Sequence, residues 1–234
     1  MLTPYHAPGS FSQRMLWLLE ELGADHRITG VRYPKADGSG ADPRNPHPHG
    51  YTPGLDHGGQ IVTETGAITL YLTDLFPGSS IGVAAGQPLR ARFLSWLFYQ
   101  VGLSEPLLYM QGHQMLAQDT AMAGLTVAMM RHIAVTLAAG PYLLGEHFTA
   151  VDILYMSVFE SDRPLLDKAA WIAAYLARAD RPLLGRHRGR FEVVDHKQPA
   201  GLKAVGLQAF DHHSAADDAV VVVYRRLLAV QDGG

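Results

Sequence analysis

The pattern of the sequence changes once, at a stretch rich in Gly, Pro and Ser that spans residues 77–88. Before this stretch, short strand-like segments alternate with amphipathic helical segments, which is typical of an α/β unit. From Leu89 onward, helical periodicity recurs without intervening strands. We therefore predict an α/β domain over residues 1–78, a linker over residues 79–88 and an all-helical domain over residues 89–182.

The α/β part begins with a strand and an amphipathic helix. Leu2 to His6 is predicted as the strand, and the helix after it has apolar residues at i, i+3, i+4 and i+7, with Gly23 placed to end it. This apolar stripe consists of Met15, Leu18, Leu19 and Leu22. A second strand is predicted within residues 25–33. Residues 35–50 are predicted as a long loop, because Gly, Pro and Asp are frequent in them.

Further elements follow on both sides of the linker. A strand is predicted within residues 51–59, and a strand followed by a helix within residues 60–76. The apolar side chains that share one face of this helix are Ile68, Tyr71, Leu72 and Leu75. After the linker, helices are predicted around residues 93–101, over residues 122–140 and over residues 169–182.

The segment "FTAVDILYMSVF" carries a strong helix start signal. Thr149 is the predicted N-cap, and Asp152 stands three residues later, at the capping-box position. The helix is apolar nearly all round, so we expect it at the buried centre of the helical domain. Beyond residue 182, no hydrophobic period of 2 or 3.6 residues is sustained. Residues 183–234 are therefore predicted as an atypical C-terminal extension.

Composition excludes several function classes. The 234 residues contain no cysteine, which excludes disulfides, thiolate metal sites and a catalytic cysteine. The net charge of −3 is well mixed, so no nucleic-acid partner is expected. The histidines lack metal-ligand spacing, and no metal site is expected: His47 and His49 flank a proline, and His212 and His213 are adjacent. The longest apolar run, Ala219 to Tyr224, is too short to span a bilayer, and no secretory signal pattern is present, so we expect a cytoplasmic protein without membrane contact.

Three segments together resemble those of cytosolic-type glutathione transferases of the bacterial kind. They are "NPHPHGYTPGL" with Pro53, "TETGAI" at residues 63–68, and "LLGEHFTAVDILY" with its Thr149/Asp152 box. The resemblance covers roughly residues 1–182. It implies a thioredoxin-like N-terminal domain followed by an all-helical C-terminal domain, and a symmetric homodimer. It also implies glutathione as co-substrate, with no further cofactor, in the detoxification of a small apolar electrophile.

The resemblance implies how glutathione is held. The proline that matches Pro53 is cis in this family, and the backbone of Thr52 would pair with the cysteinyl unit. Glu64 and Thr65 match the acidic and hydroxyl pair that holds the γ-glutamyl end, since a carboxylate suits an ammonium group and a helix N-terminus favours an anion. The alternative is that Thr65 only caps a helix and Glu64 only offsets its dipole.

At the glycyl end the sequence departs from the family. Relatives often place Lys or Gln two residues before the cis proline, whereas this chain has Tyr51 there. His47 or His49 is the expected substitute, which would make binding sensitive to pH near the ordinary histidine pKa of about 6.5.

The thiol of glutathione requires a hydrogen-bond donor. Relatives use a tyrosine, serine or cysteine in or just after the first strand, but here Gly9 and Phe11 stand at the positions that are serine and cysteine elsewhere. We predict Ser10 as the thiol contact and Ser12 as the N-cap of the first helix, with Tyr5 as a further candidate donor. The alternative is that neither serine touches a ligand.

A second substrate would bind between the domains. The side chains predicted to line its pocket are Phe11, Trp96, Tyr99, Tyr109, Met110 and His113. At helical spacing the same residues are also compatible with an ordinary core. A non-catalytic glutathione-binding protein is the alternative to a transferase, and dehalogenation, ether cleavage or peroxide reduction are alternatives to conjugation.

Overall fold

The computed structural model describes four stretches of the chain, residues 1–35, 37–116, 119–161 and 169–179. Within them it contains one four-stranded sheet and seven α-helices. The predicted extension over residues 183–234 lies outside the described residues, and so does the end of the predicted helical domain.

The sheet consists of β1 (Leu2–His6), β2 (Thr29–Gly30), β3 (Gly54–His57) and β4 (Gln60–Thr63), in the order β2-β1-β3-β4. β1 is parallel to β2 and antiparallel to β3, and β3 forms a hairpin with β4. Gly58 and Gly59 close the hairpin with φ angles of 63° and 91°, in the left-handed region that glycine adopts most readily. The strands predicted at these places are confirmed.

β2 is much shorter than the segment predicted for it. The carbonyl oxygen of Leu2 accepts a hydrogen bond from the N–H of Arg27 at 3.0 Å. The carbonyl oxygen of His6 accepts one from the N–H of Val31 at 2.8 Å. Alternate residues of β1 thus turn their backbone toward β2, and Pro4, which lies between them, has no N–H to donate. The proline leaves a gap in this ladder and limits β2 to two residues.

The first helix, α1 (Gln13–Glu21), is buried along its predicted apolar stripe. It ends where Gly23 adopts a φ of 61°. The N–H of Gly23 donates to the carbonyl oxygen of Glu20 at 3.0 Å, and the N–H of Ala24 donates to that of Leu19 at 2.9 Å. These two bonds form a Schellman motif, so the predicted glycine stop is confirmed.

α2 (Thr65–Leu75) follows β4 as predicted, but its buried face differs from the predicted one. Ile68 and Leu72 are buried, whereas Leu75 is 40% exposed. Thr73 is buried instead, and its hydroxyl donates to the carbonyl oxygen four residues earlier at 2.9 Å. Because the helix itself satisfies this hydroxyl, a polar side chain takes a core position that apolar periodicity cannot identify.

The connection between α2 and the next helix is packed against both parts of the molecule. Ile81 and Val83 are buried in it. The carbonyl oxygen of Ile81 accepts a hydrogen bond from the N–H of Ala150 at 2.8 Å, and that of Val83 accepts one from Arg90 at 2.6 Å. The stretch predicted as a linker therefore holds a defined path.

The remaining helices are α3 (Arg90–Tyr99), α4 (Glu105–Gly112), α5 (Thr120–Ala138), α6 (Ala150–Ser161) and α7 (Ala170–Leu176). A π-helical turn over Gln100–Ser104 joins α3 to α4 without a break. α5 begins slightly before its predicted start, because Asp119 caps it by accepting hydrogen bonds from the N–H groups of Ala121 and Met122.

The long helix α5 carries several exposed apolar side chains. In the described part of the chain, it is the one helix whose length and composition would allow it to cross a membrane, a test that core helices of globular proteins also pass. Its exposed apolar side chains are Met122, Leu125 and Val135. Surface of this kind is available for contact with another chain.

α6 is buried nearly all round, as predicted, and Asp152 joins it to its surroundings. One oxygen of the Asp152 carboxylate accepts from the N–H and the hydroxyl of Thr149, at 2.9 and 3.1 Å. The other accepts from the N–H of Leu143 at 3.0 Å and the hydroxyl of Tyr175 at 2.7 Å. The predicted box is thus present in part: the Thr149 hydroxyl donates to the carboxylate rather than capping a helix N–H. Burial raises the pKa of Asp152, and these four hydrogen bonds oppose the shift.

We predict that Asp152→Asn lowers the free energy of unfolding by about 3 kcal/mol. Both carboxylate oxygens of Asp152 accept hydrogen bonds, so the NH2 group that replaces one of them would be placed against other donors. Tyr175→Phe, which removes a single donor, is the matched comparison, with an expected loss of about 2 kcal/mol. Urea unfolding followed by circular dichroism measures both. A variant Asp152→Asn as stable as the wild type would contradict this view of the network.

The loop after β2 is held together by Asp42. Its carboxylate accepts from the Arg44 guanidinium at 2.7 and 3.0 Å and from the N–H of Arg32 at 3.2 Å. The hydrogen-bonded Arg44 side chain holds the pKa of Asp42 well below its usual value of 3.8. The ionised carboxylate therefore stabilises this loop.

We predict that this contribution depends on pH. Because the pKa of Asp42 is lower in the folded state than in the unfolded state, the stabilisation is complete above about pH 4 and is lost as the pH falls through the folded value. Urea unfolding over a pH series should show a flatter acid limb for Asp42→Asn than for the wild type. The exposed Asp37 is the matched control, and Asp37→Asn should change the limb less. Identical acid limbs for Asp42→Asn and the wild type would contradict the prediction.

Candidate active site

The loop between β1 and α1 brings Ser10 to the edge of the sheet. Its hydroxyl lies 2.7 Å from the carbonyl oxygen of Ala7, 2.7 Å from the hydroxyl of Ser12 and 2.8 Å from the hydroxyl of Thr52. Ser10 is partly exposed, whereas Ser12 and Thr52 are buried. Ser10 is therefore the serine that a ligand at this edge can reach.

Ser12 does not cap α1 with its side chain, which corrects the prediction. Its carbonyl oxygen begins the helix by accepting from the N–H of Met15 at 3.1 Å, but its φ and ψ of −64° and −17° are already helical. In that conformation Cβ points toward the N-terminus, away from the helix N–H groups. The Ser12 hydroxyl instead lies 2.8 Å from Nδ1 of His6 and 3.2 Å from the N–H of Ala7. Local sequence rules predicted the position of this serine but not its partner, His6.

The peptide bond between Thr52 and Pro53 is cis, as the family resemblance implied. The turn before it is held by Asn45, whose side-chain amide donates to the carbonyl oxygens of Gly50 and Tyr51, both at 2.8 Å. Asn45 was not identified from the sequence, since an amide in a polar loop gives no distinctive signal. Together these contacts fix the edge that faces Ser10.

Tyr5 lies on β1 opposite Gly54, one residue after the cis proline. Burial, with a smaller contribution from Asp56, raises the pKa of its hydroxyl, so Tyr5 stays protonated at neutral pH. Among the described residues, Ser10 rather than Tyr5 makes the hydroxyl contact with Thr52.

Glu64 and Thr65 stand at the start of α2, at the rim of the same region. Glu64 has a φ of 72°, a left-handed conformation that a residue other than glycine adopts at a cost, and 76% of its side chain is exposed. Nε2 of His47 lies 3.3 Å from its carboxylate. His49 and Tyr51 lie beside His47, with ring centroids 5.8 and 6.0 Å from its own. The two predicted histidines thus form one cluster with the predicted acidic residue.

A cleft of about 680 Å³ opens beside these residues, between the sheet domain and the helices. It is lined by Phe11, Glu64, Thr65, Gly66, Ala67, Phe98, Val101, Glu105, Pro106, Tyr109 and Met110. Three of the six predicted pocket residues, Phe11, Tyr109 and Met110, are among them. Phe98 and Val101 were missed, because periodicity in a helix does not reveal which face meets a cleft and which meets the core.

The other three predicted pocket residues lie elsewhere. Trp96 is buried in the core, with its ring stacked on His132 at 4.8 Å. Tyr99 packs edge-on against the same two rings. His113 stacks on Tyr109 at 4.0 Å from outside and is not part of the lining. The helix that carries Trp96 and Tyr99 turns them away from the cleft.

A partly buried ion pair joins α1 to α4 beside the cleft. The side chain of Arg14 is fully buried, and its guanidinium donates to both carboxylate oxygens of Glu105, at 2.7 and 3.1 Å. Its Nε donates to the carbonyl oxygen of Phe11 at 3.2 Å, and its Cζ lies 4.0 Å from the centroid of the Phe11 ring. Gln100 also donates to Glu105 at 2.8 Å. No sequence motif predicted this pair, whose members are 91 residues apart.

Comparison with known proteins agrees with this geometry. The family model for the N-terminal domain of glutathione S-transferase matches residues 5–80. A glutathione transferase from Methylococcus capsulatus strain Bath is 29% identical, with a TM-score of 0.66, over 79% of this chain and 95% of that chain. No curated protein sequence matches the chain.

Two structures with glutathione share the fold. A sphingomonad glutathione S-transferase complexed with glutathione is 24% identical, with a TM-score of 0.62 over 78% of this chain and 95% of that chain. A Sulfitobacter glutathione transferase homologue with bound glutathione is 23% identical, with a TM-score of 0.59 over 79% and 95% of the two chains. The sheet with α1 and α2 is thus a thioredoxin-like domain, followed by a helical region. Residues 5–80 therefore match the N-terminal domain of glutathione S-transferases, and the described part of the chain is similar to bacterial glutathione transferases.

Proposed function

We propose that this protein is a glutathione transferase in which Ser10 stabilises the thiolate of glutathione for attack on a small apolar electrophile. The observation that carries the proposal is the position of the Ser10 hydroxyl, 2.8 Å from that of Thr52 and next to the cis Pro53. In the glutathione transferase family the backbone at Thr52 receives the cysteinyl unit. A thiol held there has Ser10 as its neighbour.

The chemistry needs a thiolate. The free thiol has a pKa of about 8.5 and reacts in its ionised form. A hydroxyl donor and the positive end of the α1 dipole both favour the anion and lower this pKa, so that the thiol proton leaves to solvent. The sulfur then forms a bond to the electrophilic carbon, and the leaving group departs with the electron pair. Proximity and exclusion of water contribute the rest of the rate.

The remaining parts of glutathione have matching groups. Thr65 and the N-terminus of α2 suit the γ-glutamyl carboxylate, and Glu64 suits its ammonium group. The strained backbone of Glu64 supports a binding role, because such conformations concentrate at functional sites. We assign the glycyl carboxylate to His49 and Tyr51, since His47 is directed to Glu64.

The cleft suits an apolar second substrate. Phe11, Phe98 and Tyr109 present aromatic surface, and Val101 and Met110 add aliphatic surface. Glu105 also lines the cleft, and Arg14 compensates its charge. Conjugation, dehalogenation, ether cleavage and peroxide reduction all begin with the same thiolate. We propose a cytoplasmic site of action, where glutathione keeps thiols reduced.

A protein that binds glutathione without turnover is the second candidate. The observation that favours it is the departure at the thiol position, where Gly9 and Phe11 replace residues that relatives use. The Ser10 hydroxyl also has a backbone acceptor, the carbonyl oxygen of Ala7, at 2.7 Å.

Ser10→Ala distinguishes these candidates. We expect it to raise the pKa of the bound thiol by about one to two units, the equivalent of one hydrogen bond to a charged group. Turnover of a panel of aryl halides and epoxides should fall at least about tenfold at neutral pH. Calorimetry gives glutathione affinity, and ultraviolet absorbance of the thiolate gives the pKa.

Ser157→Ala is the matched control, because in the described part of the chain the Ser157 hydroxyl donates within α6, to the carbonyl oxygen of Leu154. An unchanged thiol pKa in Ser10→Ala would eliminate this serine. Binding of glutathione without turnover of any panel member would favour the second candidate, and absence of binding would refute both.

We propose, as the family resemblance implies, that two chains form a symmetric homodimer. The exposed apolar side chains of α5, Met122, Leu125 and Val135, support an interface at this helix. Light scattering should give twice the chain mass for the wild type and the single-chain mass for Leu125→Lys. A wild-type monomer, or an unaffected dimer in the variant, would contradict this assignment.

A further inference from the structure

A continuous chain of short hydrogen bonds runs from His6 to the edge of the glutathione site. Nδ1 of His6 lies 2.8 Å from the hydroxyl of Ser12, which lies 2.7 Å from that of Ser10. The Ser10 hydroxyl lies 2.8 Å from that of Thr52 and 2.7 Å from the carbonyl oxygen of Ala7. His6, Ser12 and Thr52 are buried, so only Ser10 connects the chain to solvent.

The carbonyl oxygen of Ala7 determines the direction of every bond in this chain. A carbonyl cannot donate, so the short contact between Ala7 and Ser10 uses the single hydroxyl proton of Ser10. The contact between Ser10 and Ser12 then needs the proton of Ser12. With that proton used, the contact between Ser12 and His6 needs a proton on Nδ1 of His6.

The other contacts fit this assignment, in which the hydroxyls of Ser12 and Thr52 fill the two lone pairs of Ser10 and the N–H of Ser12, at 3.3 Å, makes only a longer, shared contact with that oxygen. Ser12 has two acceptor lone pairs, one for Nδ1–H of His6 and one for the N–H of Ala7 at 3.2 Å. Thr52 donates its own hydroxyl proton to Ser10. Ser12 also lies 3.3 Å from the carbonyl oxygen of Ala7, but a bond there would leave its shorter contact with Ser10 without a proton.

We infer that His6 is a positioning residue, which holds the hydroxyls of Ser12 and Ser10 as donors directed toward the thiolate of glutathione. This inference rests on the proposed function. When the thiolate binds, the Ser10 proton turns from the Ala7 carbonyl to the sulfur, and the bonds behind it keep their direction. Each donor polarises the next, which strengthens the last bond to the anion.

The opposite direction would not serve a thiolate. If Nδ1 of His6 accepted a proton from Ser12, Ser10 would donate to Ser12 and would have no proton for the sulfur. His6 acts in this arrangement without changing its charge, because both the neutral Nδ1–H form and the imidazolium donate at Nδ1. Ionisable groups on the surrounding elements include Arg14 on α1, its partner Glu105 on α4 and Tyr5 on β1.

Two measurements on the full chain test the inference. In the free protein, nitrogen-15 NMR of the imidazoles should find Nδ1 of His6 protonated. In the glutathione complex, His6→Leu should raise the pKa of the bound thiol by about one unit, a tenfold loss of thiolate at pH values below it. His6→Asn, whose side-chain amide can donate in place of Nδ1–H, should recover most of the shift. A residue with only a packing role would give no difference between Leu and Asn at equal affinity for glutathione.

The double variant His6→Leu with Ser10→Ala supplies the control. Since both residues act through one chain of bonds, its thiol pKa should equal that of Ser10→Ala alone. An unprotonated Nδ1, or equal thiol pKa values in His6→Leu, His6→Asn and the wild type, would overturn the inference. If His6→Leu does not fold, the protonation of Nδ1 in the wild type and the thiol pKa of His6→Asn test the inference instead. Failure of the wild type to bind glutathione would instead refute the proposed function. The NMR measurement of Nδ1 protonation would still test the direction of the hydrogen bonds.

Discussion

The geometry of the site depends on the pairing of the buried Arg14 with Glu105. A guanidinium without solvent exposure is tolerated only when its donors and its charge are satisfied. Two bonds to Glu105 and one to the carbonyl oxygen of Phe11 meet this requirement. Because Phe11 lies between the two serines, α4 holds the loop that presents Ser10. The loop with Phe11 and the helix α4, which both line the cleft, are therefore joined through Arg14.

A rigid frame supports this pair on both sides. α1 packs against α6 as well as against α2 and β1, so the two structural regions share one core. Asp152 ties the start of α6 to α7 and to the segment before it, and the N–H of Ala150 holds the connection at Ile81. The hydroxyls around Ser10 thus lie on elements that core packing and hydrogen bonds hold in place. Preorganised donors of this kind stabilise an anion without a cost of rearrangement.

Local sequence patterns predicted the order of the elements and several of their ends. Gly23 ends α1 because only a left-handed residue completes its Schellman motif, and the cis Pro53 followed from the resemblance. Local patterns did not predict side-chain contacts where the same pattern is compatible with two different partners. Ser12 stands at a helix start, but its backbone conformation directs the hydroxyl to β1. Trp96 has the spacing of a pocket residue and of a core residue alike, and the core contact is the one observed.

The contacts that define the site join residues that are distant in the sequence. Arg14 and Glu105 are 91 residues apart, and Ser10 and Thr52 are 42 apart. No periodicity, cap or turn rule relates such positions, so the sequence predicts Ser10 as a candidate but not the side chains that surround it. His6 was missed for a related reason: a histidine at the end of a strand has no motif, and its meaning arises only from the direction of the hydrogen bonds beyond it.

An experimental structure of the complex with glutathione tests the role of Ser10 most directly. We expect the glutathione sulfur within about 3.3 Å of the Ser10 hydroxyl, with the cysteinyl backbone paired to Thr52. A sulfur atom placed against Tyr5, or away from the loop between β1 and α1, would contradict it.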